Sequence, residues 1–251
     1  MISNPASGNW LLKALSANDL AGITPHLESV SLKRGDLLEA AGEPIPYVYF
    51  PNEGLISIIA RMRDGKPVEV GMVGREGMTG ASVMLDDLSA QNEVRVQIGG
   101  AAVRVPSAVL QRLVSKSPSL QAVFLRYVQV LMSQIAQTAV ASAHLTVQGR
   151  LSRWLLMVQD RVGSDQFSLT HELLAMMLGV RRPGVTVAMH MLEGEHFIRS
   201  TRANVQIVDR DGLEALVSTS YGIPEGLYRR LFPNANVFGG PDRPLTKPPT
   251  N

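Results

Sequence analysis

The chain has 251 residues, 45% of them hydrophobic and 18% charged, with 24 basic residues against 22 acidic ones. That length and apolar content can bury one large core or two modest ones, and the near balance of charge excludes a chain that is disordered throughout or a uniformly basic nucleic-acid coat. Cysteine is absent, which excludes disulfides, thiolate-held iron–sulfur clusters, thiol redox sensing and cysteine nucleophiles.

The first residues, Met1 to Trp10, lack the basic stretch and apolar run of a signal peptide. No later segment approaches the ~20 apolar residues that span a bilayer. A cytoplasmic location and no membrane partner are expected. A short helix is expected at Trp10 to Leu15, where Trp10, Leu11, Leu12 and Leu15 form an apolar patch.

From Asn9 to about Leu110 short extended runs are broken at close intervals by Gly35, Gly42, Pro44, Gly54, Gly71, Gly74, Gly77, Gly80 and Gly99-Gly100. That rhythm predicts an all-β sandwich or barrel. Its clearest unit is Leu55 to Arg63, then Asp64-Gly65, then Val68 to Val73, an alternating hairpin around a turn that wants positive φ.

At Ser117-Pro118 the texture changes to an N-cap followed by proline at the first helical position. Leu120, Phe124, Tyr127, Leu131 and Ile135 recur at spacings of 3 and 4, and Arg126 is the only formal charge between Pro118 and Ala143. A helix so poor in charge is covered, either inside its own core or along a seam with a second copy. The seam is preferred, because a small β domain does not easily cover ~25 residues, about 38 Å, of one helix.

Helical pattern resumes from Val147 through Met157 and stops at Gly163-Ser164-Asp165. Thr170 then caps His171 to Leu178; Gly179 makes a turn, Val180 plugs the space between helices, and a second helix runs from about Arg182 to Glu193 with Val185, Ala188, Met189 and Leu192 on one face. Small residue, turn glycine and apolar plug are the steric recipe of a helix-turn-helix. Its other face presents Arg181, Arg182, Thr186 and His190, where such helices meet base edges and phosphates. Phe197 to Ser200 and Asn204 to Val208 form a two-stranded wing, with Arg199 and Arg202 for phosphate. After Tyr221 the chain is rich in proline and glycine and reads as a tail, disordered from about Asn234.

Taken together, Gly35 to Gly42, Tyr47 to Pro51, Val73 to Met78, Arg150 to Leu156 and Leu178 to Arg182 resemble the Crp/Fnr superfamily of bacterial transcription regulators, in the right order from about Leu11 to Tyr221. The resemblance implies an α+β chain: a cyclic-nucleotide-binding-like jelly roll at 9–116, a dimerisation helix at 117–145 and a winged helix-turn-helix at 146–221, followed by the tail at 222–251. It implies a homodimer on double-stranded, pseudo-palindromic DNA and leaves room for RNA polymerase and a small effector as further partners. Gly74, Arg75, Glu76, Gly77 and Met78 would then border the effector pocket, with Arg95 nearby, and the five apolar residues from Leu120 to Ile135 would make the dimer seam. Relatives that bind cyclic AMP carry an Arg-Ser/Thr-Ala triplet whose arginine neutralises the phosphate. Ala90-Gln91-Asn92 stand here instead, which disfavours cyclic AMP and leaves the effector and any cofactor unidentified.

Two alternatives remain. The winged helix could contact a protein rather than DNA. An enzyme is disfavoured: no nucleophile elbow, phosphate loop, metal-ligand cluster or spaced carboxylate pair is visible, and neither catalytic nor metal-binding residues are assigned.

Overall fold

A computed structural model describes residues 8–201, 204–235 and 238. Two short helices, α1 (Trp10–Lys13) and α2 (Ala17–Ile23), precede strands β1 (Glu28–Leu32), β2 (Leu37–Glu39), β3 (Tyr47–Pro51), β4 (Leu55–Arg61), β5 (Pro67–Val73), β6 (Glu93–Ile98) and β7 (Gly100–Pro106). Helices α3 (Ser107–Lys116), α4 (Pro118–His144) and α5 (Val147–Val162) follow, then β8 (Gln166–Ser168), α6 (His171–Leu178), α7 (Arg182–Gly194), β9 (Ile198–Thr201), β10 (Asn204–Ile207), α8 (Arg210–Leu216) and α9 (Ile223–Leu231). The architecture is the expected α+β one. No helix of the described residues is long and apolar enough to cross a membrane.

Strands β1, β7 and β3 form one antiparallel sheet, and β2, β6, β4 and β5 a second. Because side chains alternate along a strand, each sheet presents two faces. Tyr49 and Ala102 of the first turn toward Ile56, Val73, Val94 and Val96 of the second, making the sandwich interior. On its other face, Val48, Phe50, Val103 and Val105 enter a core shared with α1, α3 and α4. The outer side of the four-stranded sheet gives Leu55 and Met72 to a third core, built mostly by α5, α6, α7 and α8. The C-terminal helices therefore pack directly on the four-stranded sheet. The expected hairpin is β4 and β5, Ile56 opposite Val73 and Arg61 opposite Pro67, with Gly65 at φ +83 in the turn.

Strand β5 lies at a sheet edge, where unpaired backbone invites foreign pairing. Gln134 of α4 covers it: its Oε1 accepts from Met72 N at 2.7 Å and its Nε2 donates to Met72 O at 3.2 Å.

Helix α4 begins at the expected residues, with Ser117 Oγ accepting from Leu120 N. The expected dimer seam needs correction. Leu120, Phe124, Tyr127 and Leu131 are buried in the chain's own core, with Ile135 packed at its margin, because the sheet and α9 together cover this face. The outward positions are Leu125, Gln129, Met132, Ala136, Ala139 and Ala143, all exposed and spaced alternately by 4 and 3.

The reading of 222–251 as a tail also changes. It begins with α9, whose Tyr228, with Phe232 and Phe238 beyond it, enters the core formed by α4 and the sensor sheet. Tyr228 and Phe232 stack with centroids 4.5 Å apart, and Phe238 meets Trp10 edge-on at 5.7 Å. The expected disorder from about Asn234 concerns residues that, apart from Asn234, Ala235 and Phe238, lie outside the described ones. Replacing Phe232 with Ala should cost about 3–5 kcal/mol, the range for a buried aromatic, measured by urea unfolding. An unchanged midpoint would return this segment to the status of a tail.

Candidate nucleic-acid interface

Helix α6 starts where Thr170 Oγ1 accepts from Leu173 N at 3.2 Å. It ends at Gly179, held at φ +62, a left-handed conformation that costs glycine little. Val180 N donates to Ala175 O at 3.0 Å, bringing the plug residue under the turn. Helix α7 then buries Val185, Ala188, Met189 and Leu192, a 3-and-4 stripe that docks on α5 and leaves the opposite face in water. Strands β8, β10 and β9 make the wing sheet. Glu193 Oε1 accepts from Ser200 N at 2.8 Å and Ser200 Oγ at 2.5 Å, which fixes the wing to the end of α7, and Gln148 donates to Glu195 at 3.0 Å, tying that end to α5.

Of the expected DNA contacts, Arg181, Arg182 and His190 are exposed on α7 and Arg199 is exposed on β9. Arg202 lies outside the described residues. Thr170 is used as a cap. Thr186 is half-buried: its hydroxyl meets His171 Nδ1 at 3.0 Å and donates to Arg182 O at 3.3 Å, so it braces α6 against α7 instead of standing free. Arg182 Nη1 lies 3.0 Å from Glu172, an exposed pair of the kind worth about 1 kcal/mol or less. Two features of this face escaped the sequence reading. Met191 is exposed beside Val187, giving α7 an apolar patch among its arginines. Glu172, in the first turn of α6, adds a negative charge where phosphate would approach.

The expected effector residues do not form an open cradle. Met78 is fully buried in the sensor core. Glu76 forms an ion pair with Arg161 of α5 at 2.7 Å, each side chain 2% exposed. A Cβ on Gly74 would come within 2.6 Å of Arg161, and one on Gly77 within 2.2 Å of the Tyr127 ring. These glycines admit side chains from α5 and α4. Arg75 stacks over Trp10, its guanidinium 4.5 Å from the ring centroid. Arg95 is engaged elsewhere, on Glu93 at 2.7 Å and the Gly35 carbonyl at 2.7 Å. The segment and Arg95 are not brought together, and the fit to an anionic cyclic phosphate is poor. Glu39 reaches into the roll as well, accepting from Gly80 N at 2.8 Å, and burial pushes its carboxyl up to about 7.

Between the strand-rich N-terminal half and the C-terminal helices lies a carboxylate that no motif announced. Glu69 of β5 is buried, accepting from the Ser57 hydroxyl and from Trp154 Nε1 of α5 at 2.6 Å. Its only sequence signal was a charge inside an otherwise apolar alternating run. Burial raises its pKa to about 7 against the opposing pull of Ser57 and Trp154. Among the described residues no group of three or more His, Asp or Glu side chains is placed to hold a metal ion.

Comparison with known proteins gives two family models: a cyclic nucleotide-binding domain over residues 29–117 and a Crp-like helix-turn-helix domain over 149–216. Together they account for well over half of the chain. A curated relative, the CRP-like cAMP-activated global transcriptional regulator of Mycobacterium tuberculosis, is 24% identical over 213 residues, 81% of this chain and 94% of that protein. Two similar folds are FixK2 from Bradyrhizobium japonicum (TM-score 0.66, 15% identity, 76% of this chain and 96% of that one) and the c-di-GMP responsive global regulator CLP from Xanthomonas campestris (TM-score 0.63, 17% identity, 76% and 99%).

The Glu69 seam makes stability depend on pH. With a folded pKa near 7 above the ordinary carboxylate value, its contribution is full below about pH 4.5 and is lost as the pH rises through about 7. Glu69→Gln should therefore unfold with wild type near pH 4.5 and be more stable at pH 8, by on the order of 3 kcal/mol. Denaturant melts at the two pH values check this. A variant equally destabilised at both would remove the titration argument.

Proposed function

The chain belongs to the Crp/Fnr family of DNA-binding transcriptional regulators, and from that membership we propose that it works as a homodimer on a pseudo-palindromic site. Each α7 enters a major groove, with half-sites about one helical turn (~34 Å) apart. The observation that carries the reading is α7 itself, which buries one stripe against α5 while Arg181, Arg182, Val187 and His190 face outward. Arginine can bond bidentately to guanine, and the exposed alkyl surface of Val187 and Met191 suits thymine methyls. Arg199, on a wing fixed to α7 by Glu193, is placed to bind phosphate. Contact with a protein partner through the winged helix is not favoured.

The dimer forms along the exposed α4 stripe. Leu125, Met132 and Val140 are 37%, 64% and 48% exposed, and the alternating 4-and-3 spacing from Leu125 to Ala143 is that of a two-helix seam with small residues permitting close approach. The sensor does not take a cyclic nucleotide at Gly74–Met78. Support comes from Arg161 and Tyr127 filling that space and from Ala90-Gln91-Asn92 where a phosphate-binding arginine would stand. RNA polymerase contact is left as a further partner, and a cytoplasmic location follows from the proposed role.

Selection from random-sequence DNA should recover an inverted repeat. Within it, Arg182→Ala should lose about 1–3 kcal/mol of discrimination at one base position, measured by fluorescence anisotropy on singly substituted sites. Equal loss on every sequence would reassign Arg182 to the phosphate backbone. Met132→Glu should sediment as a folded monomer and lose most specific affinity. A dimeric Met132→Glu would place the seam elsewhere.

A further inference from the structure

Four elements that belong to different parts of the molecule meet around one small cavity. Its walls are Glu69, Gly71 and Met72 of β5; Gln134, Thr138, Ala141 and Ser142 of α4; Arg150, Arg153, Trp154 and Met157 of α5; and Met177 and Leu178 of α6. Sensor, dimer helix and DNA-binding domain all contribute, and its volume is about 30 Å³.

The two arginines of this cavity have no bonded counter-ion among the described residues, although the buried carboxylates of Glu225 and Glu69 attract Arg153 from nearby. Arg150 and Arg153 lie three residues apart on α5, hence on one face, and among the described residues neither forms an ion pair. Arg150 Nη1 donates to Leu178 O at 3.2 Å, while its Nε is buried with no partner. Arg153 is 5% exposed and donates only to neutral oxygens, Ser220 O at 3.0 Å and Thr138 Oγ1 at 3.3 Å. Glu69 does not balance them by direct contact, because its two oxygens accept from Ser57 and Trp154. Buried cations without a bonded counter-ion are costly.

We propose that this cavity is a binding site for a small oxyanion, a phosphate or carboxylate group, held by Arg150 and Arg153; Thr138 and Ser142, whose hydroxyls donate to Gln134 O and Thr138 O, only line the facing wall. The volume corresponds to about two waters, enough for such a group and too little for a nucleotide. The exposed Ser142 marks the open side. Arginine's planar fork suits an oxyanion. An anion here joins α4 to α5 and sits against the end of α6, so it favours one placement of the reading helix and changes affinity for DNA by its differential affinity for the two placements.

The full-length protein, without DNA, is titrated by calorimetry with inorganic phosphate, sulfate or succinate against chloride of matched ionic strength. The expected result is saturable binding at one site per chain for at least one probe, with a rise in melting temperature. Arg150→Gln should weaken it at least about tenfold. Ser142→Glu, on an exposed helical position, supplies its own carboxylate at the mouth and should abolish the response while raising the melting temperature in chloride. If Arg150→Gln does not fold, Ser142→Glu decides alone. The proposal fails if no probe gives saturable heat, or if the folded variants titrate like wild type. Because no DNA is present, that failure leaves the regulator reading standing, and loss of DNA binding in chloride would leave the anion site standing.

Discussion

Glu76 and Arg161 sit 2.7 Å apart, each almost wholly removed from water, and that buried pair constrains much of the structure around it. Taking two charges out of solvent is repaid only by close geometry and further hydrogen bonds. Glu76 accepts from Gly74 N, and Arg161 Nη1 donates to Met157 O at 2.9 Å. The turn from Gly74 to Gly77 therefore has to lie flush on α5 and α4, which leaves no room for a side chain on Gly74, against Arg161, or on Gly77, against Tyr127. Along α5 the same logic repeats on other sides. Asp160 pairs with Arg210 at 2.9 Å and accepts from the Tyr221 hydroxyl at 2.5 Å, Arg153 holds Ser220 O, and Trp154 holds Glu69. Helix α5 is a polar rivet through an apolar stack, and both halves of the molecule are registered on it.

Local chemistry was legible in the sequence and long-range chemistry was not. Ser117-Pro118, Asp64-Gly65, Thr170 and Gly179 each dictate a backbone event within a few residues, and each event occurs where the residues place it. Helix α3 was missed inside a span read as extended, although Leu110, Leu113 and Val114 have helical spacing; glycine and proline on either side drowned the signal. On α4 the apolar stripe was seen, but periodicity states only that a face is covered. It does not say whether the cover comes from the same chain, and here it comes partly from α9, which begins 79 residues after α4 ends. Glu76 was read as bordering an effector pocket and Arg161 was not singled out, because nothing in a linear chain marks two residues 85 apart as partners.

The reading head combines few charges with exposed apolar surface. A chain with so little net charge has only a weak general attraction for the DNA backbone, so on the proposed reading it is the local arrangement of Arg181, Arg182 and Arg199 that supplies it, and Glu172 subtracts from it. Val187 and Met191 gain only where they meet a methyl group or a dry contact. Such a surface discriminates mostly by shape match at close range and little by attraction at long range.

Helix α9 changes how the DNA-binding domain is attached. The chain leaves α4 for that domain at the link before α5, and after α8 it comes back to pack α9 on α4 again. The domain is thus mounted like a door on two hinges, both on the same post. These two attachments on α4 add to the packing of α5 and α6 on β4 and β5. A change in the position of α4 would therefore act on this domain at both ends of its chain at once, through the link to α5 and through α9.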